Sequence, residues 1–280
     1  MSWQIEITHR SGYRYGGDVW ASYNEARMTP ANTERQRVMS TRFGVNPNCT
    51  THRYMDYFGT VVETFDLHNI HRELEVTSTS LVETSPAPRH DEGCPWETLA
   101  LNDVTDRFDE YLGATNYTAS DPEILSMAKQ FLTLGTPHEA VRETVAWAKG
   151  RLVYQSGVTG VTTAAREALA QGKGVCQDFA HLTIAVLRDM GIPTRYVSGY
   201  LHPTPDGELA QTVEGQSHAW IEAWTGSWRA FDPTNGSAVG ERHVVVGRGR
   251  DYADVAPLKG VYQGGESEAL RVHVSLTRVA

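Results

Sequence analysis

The chain has 280 residues, a length typical of one large domain or two modest ones. Its hydrophobic share of 40% and charged share of 21% are ordinary for a globular protein that buries a core. The net charge of −9 argues against nucleic acid or an anionic membrane surface as the partner, because both require a basic face.

Targeting and redox signals are sparse. The sequence contains no run of about 18 apolar residues, so we expect no membrane span. The start, MSWQIEITHR, lacks a basic region followed by an apolar one, and no signal peptide is expected. Cys49, Cys94 and Cys176 are odd in number and widely spaced, which does not make a disulfide framework. A reducing compartment fits this usage, and we expect the protein in the cytoplasm.

Residues 1–85 are predicted to form an N-terminal β-rich region. Apolar and polar residues alternate in WQIEITHRSGYRY, TVVETFDLHN and RELEVTSTSLVE, which is the period of half-buried strands. Residues 86–95, PAPRHDEGCP, interrupt this pattern with prolines and a glycine. We predict that they form a linker.

Helical patterns follow the linker. SDPEILSMAKQFL begins with Ser120 as the expected N-cap, and Glu123 three residues later completes a capping-box signature. TPHEAVRETVAWAKGRL repeats the device from Thr136. A shorter helix is predicted over TAAREALAQ, and another runs from Cys176 to Met190.

Strand patterns return after the last of these helices. They run through TRYVSGYL, SHAWIEAW, WRAFDP, RHVVVGR and LRVHVSLTRV. Helices followed by an antiparallel sheet predict an α+β fold, with residues 96–280 as one core behind the N-terminal β-rich domain.

Cys176 stands at the start of its predicted helix, just after a Gly172–Gly174 turn. A helix N-terminus favours the thiolate, because its unpaired N–H groups and its dipole stabilise an anion. The glycines can adopt conformations closed to other residues and let substrate approach the backbone. The N–H of Cys176 could face a developing oxyanion. The alternative is a small buried apolar residue at a helix start.

One hairpin supplies a base and its partner. In SHAWIEAWTGSWRAFDP the TGS segment is a tight turn, and if Trp224 opposes Trp228, Asp232 is the diagonal neighbour of His218 on one face. A carboxylate beside an imidazole fixes its tautomer and stabilises its charged form. A purely structural histidine is the alternative. A metal site formed with Cys176 lacks any paired-ligand spacing to support it.

These segments resemble the transglutaminase-like superfamily, specifically its bacterial members with a dedicated N-terminal region. GVCQDFAHLTIAVLRDMGIPTRYVSGYL is similar to the family's cysteine helix and following strand, and SHAWIEAW and WRAFDPTNG to its histidine and aspartate strands. ARMTPANTERQ, YMDYFGTVVETFDLH and GRDYADVAPLKGVY extend the resemblance over nearly the whole chain. The resemblance implies a papain-like fold with a catalytic triad of Cys176, His218 and Asp232.

The resemblance does not name a substrate, since the superfamily spans cross-linking enzymes, peptidases, amidases and inactive relatives. Cross-linking members steady the oxyanion with a tryptophan upstream of the cysteine. Here Tyr154 and Gln155 stand upstream instead, and we predict Tyr154 for that role, with packing at a helix end as the alternative. We expect hydrolysis of a peptide, protein or small amide through a thioester. Transamidation to lysine and non-catalytic binding of peptides or proteins are the alternatives. None of them needs a metal or an organic cofactor.

Other polar residues near these motifs are predicted to be structural. His181 lies on the side of its helix away from the cysteine and should bond to backbone. Asp178 lies in the first helical turn, where it should act as a cap, with contact to the site as the alternative. Arg248, Arg250 and Asp251 are expected to form a solvated turn, with a position at the border of the cleft as the alternative.

Overall fold

The computed structural model describes residues 2–86, 93–204 and 207–280. Helices pack on an antiparallel sheet, and a strand-rich part precedes them, so the α+β prediction is confirmed. Most of the predicted linker 86–95 lies outside the described residues. Within the described ranges, no helix combines the length and the apolar character needed to cross a lipid bilayer.

The strands are numbered in chain order. They are β1 (Trp3–Ala26), β2 (Gln36–Asn46), β3 (Thr51–Met55), β4 (Val61–Leu67), β5 (His71–Thr84), β6 (Val153–Tyr154), β7 (Lys173–Gly174), β8 (Thr194–Leu201), β9 (Thr212–Gly215), β10 (Ser217–Trp224), β11 (Trp228–Asp232), β12 (Ser237–Ala238), β13 (His243–Gly249), β14 (Leu258–Gly264) and β15 (Ser267–Arg278).

The helices are also numbered in chain order. They are α1 (Trp96–Leu99), α2 (Asn102–Arg107), α3 (Pro122–Phe131), α4 (Pro137–Arg151), α5 (Ala165–Gln171), α6 (Cys176–Asp189) and α7 (Tyr252–Val255), with a 3₁₀ turn at Asp109–Tyr111.

The first sheet is built around the long strand β1. Up to Tyr15, β1 pairs with β5 and β15, and from Val19 onward it pairs mainly with β4 and β14. The two ends of the chain therefore share one sheet. The sequence division instead grouped residues 258–280 with the helices, because alternation reveals a strand but not the sheet it joins. The division into two domains stays a prediction.

The second sheet has the order β12-β11-β10-β8-β13 and is antiparallel throughout. One of its faces, through Ala219, Ile221 and Ala223 of β10, packs against the helices. Helix α6 is buried on nearly all sides and contacts α3, α4, α5 and β10. It is therefore the centre of this part of the fold.

The helix caps follow the predicted chemistry with one shift. The capping box of α4 forms as predicted between Thr136 and Glu139. In α3 the cap is Asp121, whose carboxylate accepts the Ile124 N–H at 2.9 Å, so the prediction of Ser120 was wrong by one residue. Pro122 occupies the first helical position, which makes the residue directly before it the cap.

Apolar side chains join the two sheets. Trp3, Ile5 and Ile7 of β1 pack with Tyr200 of β8 and with valines of β13. Alternate residues of β1 point inward, so His9 and Ser11 continue the same buried row. The first sheet thereby presents a partly polar face to the second.

Arg248 does not lie in a solvated turn, contrary to the sequence prediction. It makes two hydrogen bonds of 2.9 Å to the carboxylate of Glu222, which also accepts Arg195 Nε at 2.6 Å. Glu222 is 7% exposed. Its burial favours the neutral acid, but the two guanidinium groups outweigh this and lower its pKa. Asp251 is also buried and caps α7, whereas Arg250 is half exposed and pairs with Asp254.

Replacing Glu222→Gln should lower the free energy of unfolding by about 3 kcal/mol, because two largely buried guanidinium groups would face a neutral amide. Urea denaturation measures this change. The matched control is Glu123→Gln, because the ion pair of Glu123 with Arg151 is exposed and should contribute less than about 1 kcal/mol. Equal losses in the two variants would contradict this account.

Candidate active site

Cys176 is the first residue of α6, as predicted. The preceding helix α5 ends at Gly172, whose φ of +66° is the left-handed conformation that glycine adopts at helix ends. The two residues of β7 then pair in parallel with β6 before α6 begins. The chain thus passes from one helix, through a two-residue strand, into the helix that carries the cysteine.

Asp178 caps the cysteine helix, as the sequence predicted. Its Oδ2 accepts the Val175 N–H at 2.7 Å and the Thr159 hydroxyl at 2.7 Å. Gly174 is required by this cap rather than by an unusual φ. A β-carbon at Gly174 would stand 2.6 Å from the Asp178 Cβ and 2.7 Å from its Oδ2.

His218 and Asp232 meet as the predicted hairpin register requires. Trp224 pairs with Trp228, and continuing this register sets Asp232 opposite Trp220, diagonal to His218. His218 Nε2 lies 2.8 Å from Asp232 Oδ2. The Asp232 side chain is fully buried, and that of His218 is 11% exposed.

Five hydrogen bonds converge on the Asp232 carboxylate. Oδ2 accepts from His218, from the Asn235 side-chain amide at 2.7 Å and from His243 Nε2 at 3.3 Å. Oδ1 accepts the backbone N–H groups of Thr234 and Asn235, each at 3.1 Å. Burial would raise the pKa of Asp232, but the hydrogen bonds, led by those from the two imidazoles, hold it well below its usual range. The carboxylate is therefore ionised.

His243 is the residue of this network that sequence reasoning missed. The Gly240 N–H donates to Nδ1 at 3.3 Å, so the neutral ring carries its hydrogen on Nε2 and donates it to Asp232. Burial lowers the pKa of His243, against the opposing effect of Asp232, and keeps the ring neutral. The sequence shows His243 only as a histidine at the start of an apolar strand. It does not indicate the contact with Asp232, because β10 and β8 lie between β13 and β11.

His218 carries the positive charge of the site. Burial opposes protonation, but hydrogen bonds to Asp232 and to Cys176, together with the charges of both partners, raise the pKa of His218 to about 9. Because Nε2 donates its hydrogen bond to Asp232, Nδ1 is the nitrogen that can interact with the sulfur of Cys176. His218 is an imidazolium at neutral pH, and an imidazolium beside a cysteine favours the thiolate.

The ligand atoms of His218, Asp232 and His243 lie within 4.8 Å of one another, close enough to hold a metal ion. A ligating imidazole nitrogen must be bare, however, whereas both Nε2 atoms donate hydrogen bonds to Asp232. The hydrogen bonds therefore favour a carboxylate network over a metal centre.

Cys176 and His218 line one cavity of about 240 Å³. Its walls come from the start of α6, from β8 and β10, and from β1 and β15 of the first sheet. The volume is below the roughly 300–1,000 Å³ of pockets for drug-sized ligands, and it suits one side chain or a small amide. A larger cavity of about 730 Å³, lined by Trp220, His243 and Arg248 among others, does not include the cysteine.

Tyr154 is not among the described residues that line the cavity. Its backbone pairs with Gly174, but its side chain is 48% exposed, and its oxyanion role stays a prediction. His181 is bonded to backbone as predicted, since its Nε2 accepts the Tyr252 N–H at 3.2 Å. Burial lowers the pKa of His181 to about 3, which keeps this ring neutral.

Family models match both parts of the chain. The transglutaminase-like superfamily model matches residues 126–233, which contain Cys176, His218 and Asp232. The bacterial transglutaminase-like N-terminal region model matches residues 5–83. An uncharacterized protein of Mycobacterium leprae is 48% identical over 278 residues, covering 99% of this chain and 100% of the relative. The chain belongs to the transglutaminase-like superfamily.

Other relatives of this transglutaminase-like protein are similar over almost their whole length. Uncharacterized proteins of Mycobacterium tuberculosis and Mycobacterium bovis are 35% identical over 297 residues, covering 98% of this chain and 92% of each relative. Among solved structures, a candidate cysteine protease from Cytophaga hutchinsonii matches with a TM-score of 0.78 at 22% identity, covering 99% of this chain and 98% of that chain. This last likeness shows the fold, and it confirms the papain-like expectation.

Replacing Gly174→Ala should lower the free energy of unfolding by about 1–3 kcal/mol, because the new methyl group collides with the Asp178 cap. We also expect slower iodoacetamide labelling of Cys176, since the start of α6 must shift. The matched control is Gly160→Ala, where a β-carbon would meet nothing within 4 Å and the change should stay within about 1 kcal/mol. Wild-type stability and labelling in the Gly174 variant would refute the packing argument.

Proposed function

We propose that this protein is a cysteine amidase or peptidase that hydrolyses a carboxamide or peptide bond through an acyl-thioester on Cys176. The observation that carries the proposal is the 2.8 Å hydrogen bond that His218 Nε2 donates to ionised Asp232, while His218 and Cys176 line one cavity. Membership of the transglutaminase-like superfamily supports a papain-like cysteine enzyme of this general kind.

In the first half-reaction the Cys176 thiolate attacks the substrate carbonyl, a C–S bond forms, and the carbonyl electron pair moves to oxygen. The N–H groups of Cys176 and Gln177 precede the first hydrogen bonds of α6, which Asp178 and Phe179 donate to the Val175 carbonyl, and they can stabilise that oxyanion. Collapse of the intermediate breaks the C–N bond, and the His218 imidazolium gives its proton to the leaving amine. The products are a thioester, a free amine and a neutral His218.

In the second half-reaction neutral His218 removes a proton from water, whose oxygen attacks the thioester. The C–S bond breaks, the acid is released, and the thiolate–imidazolium pair is restored. Asp232 stays ionised throughout, because five hydrogen bonds stabilise its charge. Its role is to hold the ring orientation and to stabilise the imidazolium.

The cavity lining favours water over lysine as the second nucleophile. Among the described lining residues there is no aspartate or glutamate, so an incoming lysine ammonium would have no carboxylate partner. The lining also includes the polar side chains of His9, Ser11, Ser198 and Ser217, which can hydrogen-bond an attacking water. Transamidation uses the same thioester and is the alternative that a product assay decides.

We expect iodoacetamide to label Cys176 at pH 6 at least about tenfold faster than a free cysteine, because the His218 imidazolium favours the thiolate there. Mass spectrometry of the labelled peptides measures the rate residue by residue. Cys49 and Cys94 are internal controls, since burial raises the pKa of both thiols. His218→Ala should remove the advantage, and Cys176→Ala should abolish turnover of amides.

Labelling of Cys176 at the rate of a free thiol would instead support a non-catalytic peptide-binding protein on the same scaffold. A screen of carboxamides and short peptides, run with and without a lysine-like amine, separates the two reactions. Release of acid without amine incorporation is the expected result. Preferential incorporation of the amine would overturn hydrolysis in favour of transamidation.

The pH dependence of turnover follows from His218. Its imidazolium is present below a pKa of about 9 and is lost as the pH rises through that value, so kcat/KM should fall on the alkaline side near pH 9. Asp232→Asn replaces the charged acceptor of the hydrogen bond that contributes most to this raised pKa with a neutral one, and the alkaline limb should move to lower pH. A limb at the same pH in both enzymes would contradict the assignment of the limb to His218.

A further inference from the structure

The first sheet contributes a buried histidine to the wall of the cavity that holds Cys176. His9 lies on β1, is 2% exposed, and lines the cavity together with Ser11 and Tyr13 of the same strand. No step of the proposed hydrolysis uses this ring. A buried imidazole in the wall of a small cavity needs an account of where both of its nitrogens point.

The hydrogen-bond inventory fixes the tautomer of His9. The Tyr200 hydroxyl has one hydrogen and donates it to the Met28 carbonyl at 3.0 Å. The 2.9 Å contact between His9 Nδ1 and the same hydroxyl oxygen must therefore be donated by Nδ1–H. Burial lowers the pKa of His9 to about 4, so the ring is neutral and Nε2 carries only a lone pair.

Nε2 of His9 is a buried acceptor that makes no hydrogen bond with any described residue. Ser78, the residue opposite His9 on β5, is likewise buried, and its hydroxyl makes no hydrogen bond to His9 Nε2. Nδ1 faces Tyr200, which is not a lining residue, and the two nitrogens lie on different sides of the ring, so we take the side that lines the cavity to be the one that carries Nε2. Nε2 is enclosed in the unliganded protein, so a bound group reaches it only when neighbouring atoms shift slightly. A group entering the cavity can therefore satisfy Nε2 only by donating a hydrogen.

The charge of the lining restricts which donor fits. Among the described lining residues there is no Asp, Glu, Lys or Arg, and His218 is the one whose raised pKa favours a charge at neutral pH. An ammonium group would be buried without a counter-ion, whereas the N–H of a neutral amide needs none.

We propose that His9 is a specificity-determining residue whose Nε2 accepts a hydrogen bond from a neutral amide N–H of the bound acyl group. The proposal rests on the proposed function, since it takes the cavity to be the acyl site. It assigns to the N-terminal sheet a direct part in choosing acyl groups that carry an amide N–H over acyl groups of the same shape with an ester oxygen in its place.

The test compares two thiol-reactive probes of equal shape, N-methyliodoacetamide and methyl iodoacetate, which differ by N–H against O. Labelling rates of Cys176 are divided by the rates for free cysteine, which removes the difference in intrinsic reactivity. Wild-type protein should favour the amide by about tenfold, the usual effect of one neutral hydrogen bond. Wild-type protein that shows no such preference would overturn the proposal without any variant.

His9→Asn is the decisive variant, because its short amide can still donate to Tyr200 while nothing remains at the place of Nε2. The amide preference should fall to within about twofold of free cysteine, since the hydrogen bond worth about tenfold is gone. Ser78→Ala, a change at the neighbour that does not line the cavity, should keep the wild-type preference. An unchanged preference in His9→Asn would refute the proposal. Thermal unfolding followed by circular dichroism shows whether the variant is folded.

This readout is separate from turnover. Failure of the wild-type protein to hydrolyse any amide, combined with retained probe preference, would remove the proposed hydrolysis and leave the role of His9 standing. Rapid labelling at pH 6 with no probe preference would remove the role of His9 and leave the proposed hydrolysis standing.

Discussion

The buried charge of Asp232 is the constraint on which the site depends. A carboxylate without solvent costs several kcal/mol unless hydrogen bonds and opposite charge compensate it. Here the compensation comes from β10 through His218, from the turn after β11 through Asn235, and from β13 through His243. One anion therefore ties three segments into a single arrangement, and the same anion keeps His218 protonated beside the cysteine.

The parts of this site that the sequence predicts are those governed by local rules. A helix that starts at Cys176 follows from glycines before it and an apolar stripe after it, and the Asp178 cap follows from its place in the first turn. The meeting of His218 with Asp232 follows from a tight turn and strand parity, since a two-residue side-chain period leaves few registers to choose from. Each of these inferences spans fewer than about 20 residues.

The parts that sequence reasoning missed depend on which strands become neighbours. His243 reaches Asp232, and Arg248 reaches Glu222, only because β13 joins the second sheet beside β8. In the same way, alternation predicts the last strand but not its pairing with β1. These are non-local choices, which a single sequence does not encode in any short window.

Burial and hydrogen-bonded partners move the pKa values of buried histidines in opposite directions. His9, His181 and His243 are buried and have lowered pKa values, so they act as neutral rings with fixed tautomers. His218 is almost as buried, but it alone interacts with both Asp232 and Cys176, and its pKa moves the opposite way. Among the described lining residues, His218 is therefore the one that carries a positive charge, while the remaining wall is partly polar and has no Asp, Glu, Lys or Arg. A cavity of this kind penalises ions and admits neutral groups that donate and accept hydrogen bonds, which is the chemistry of an amide.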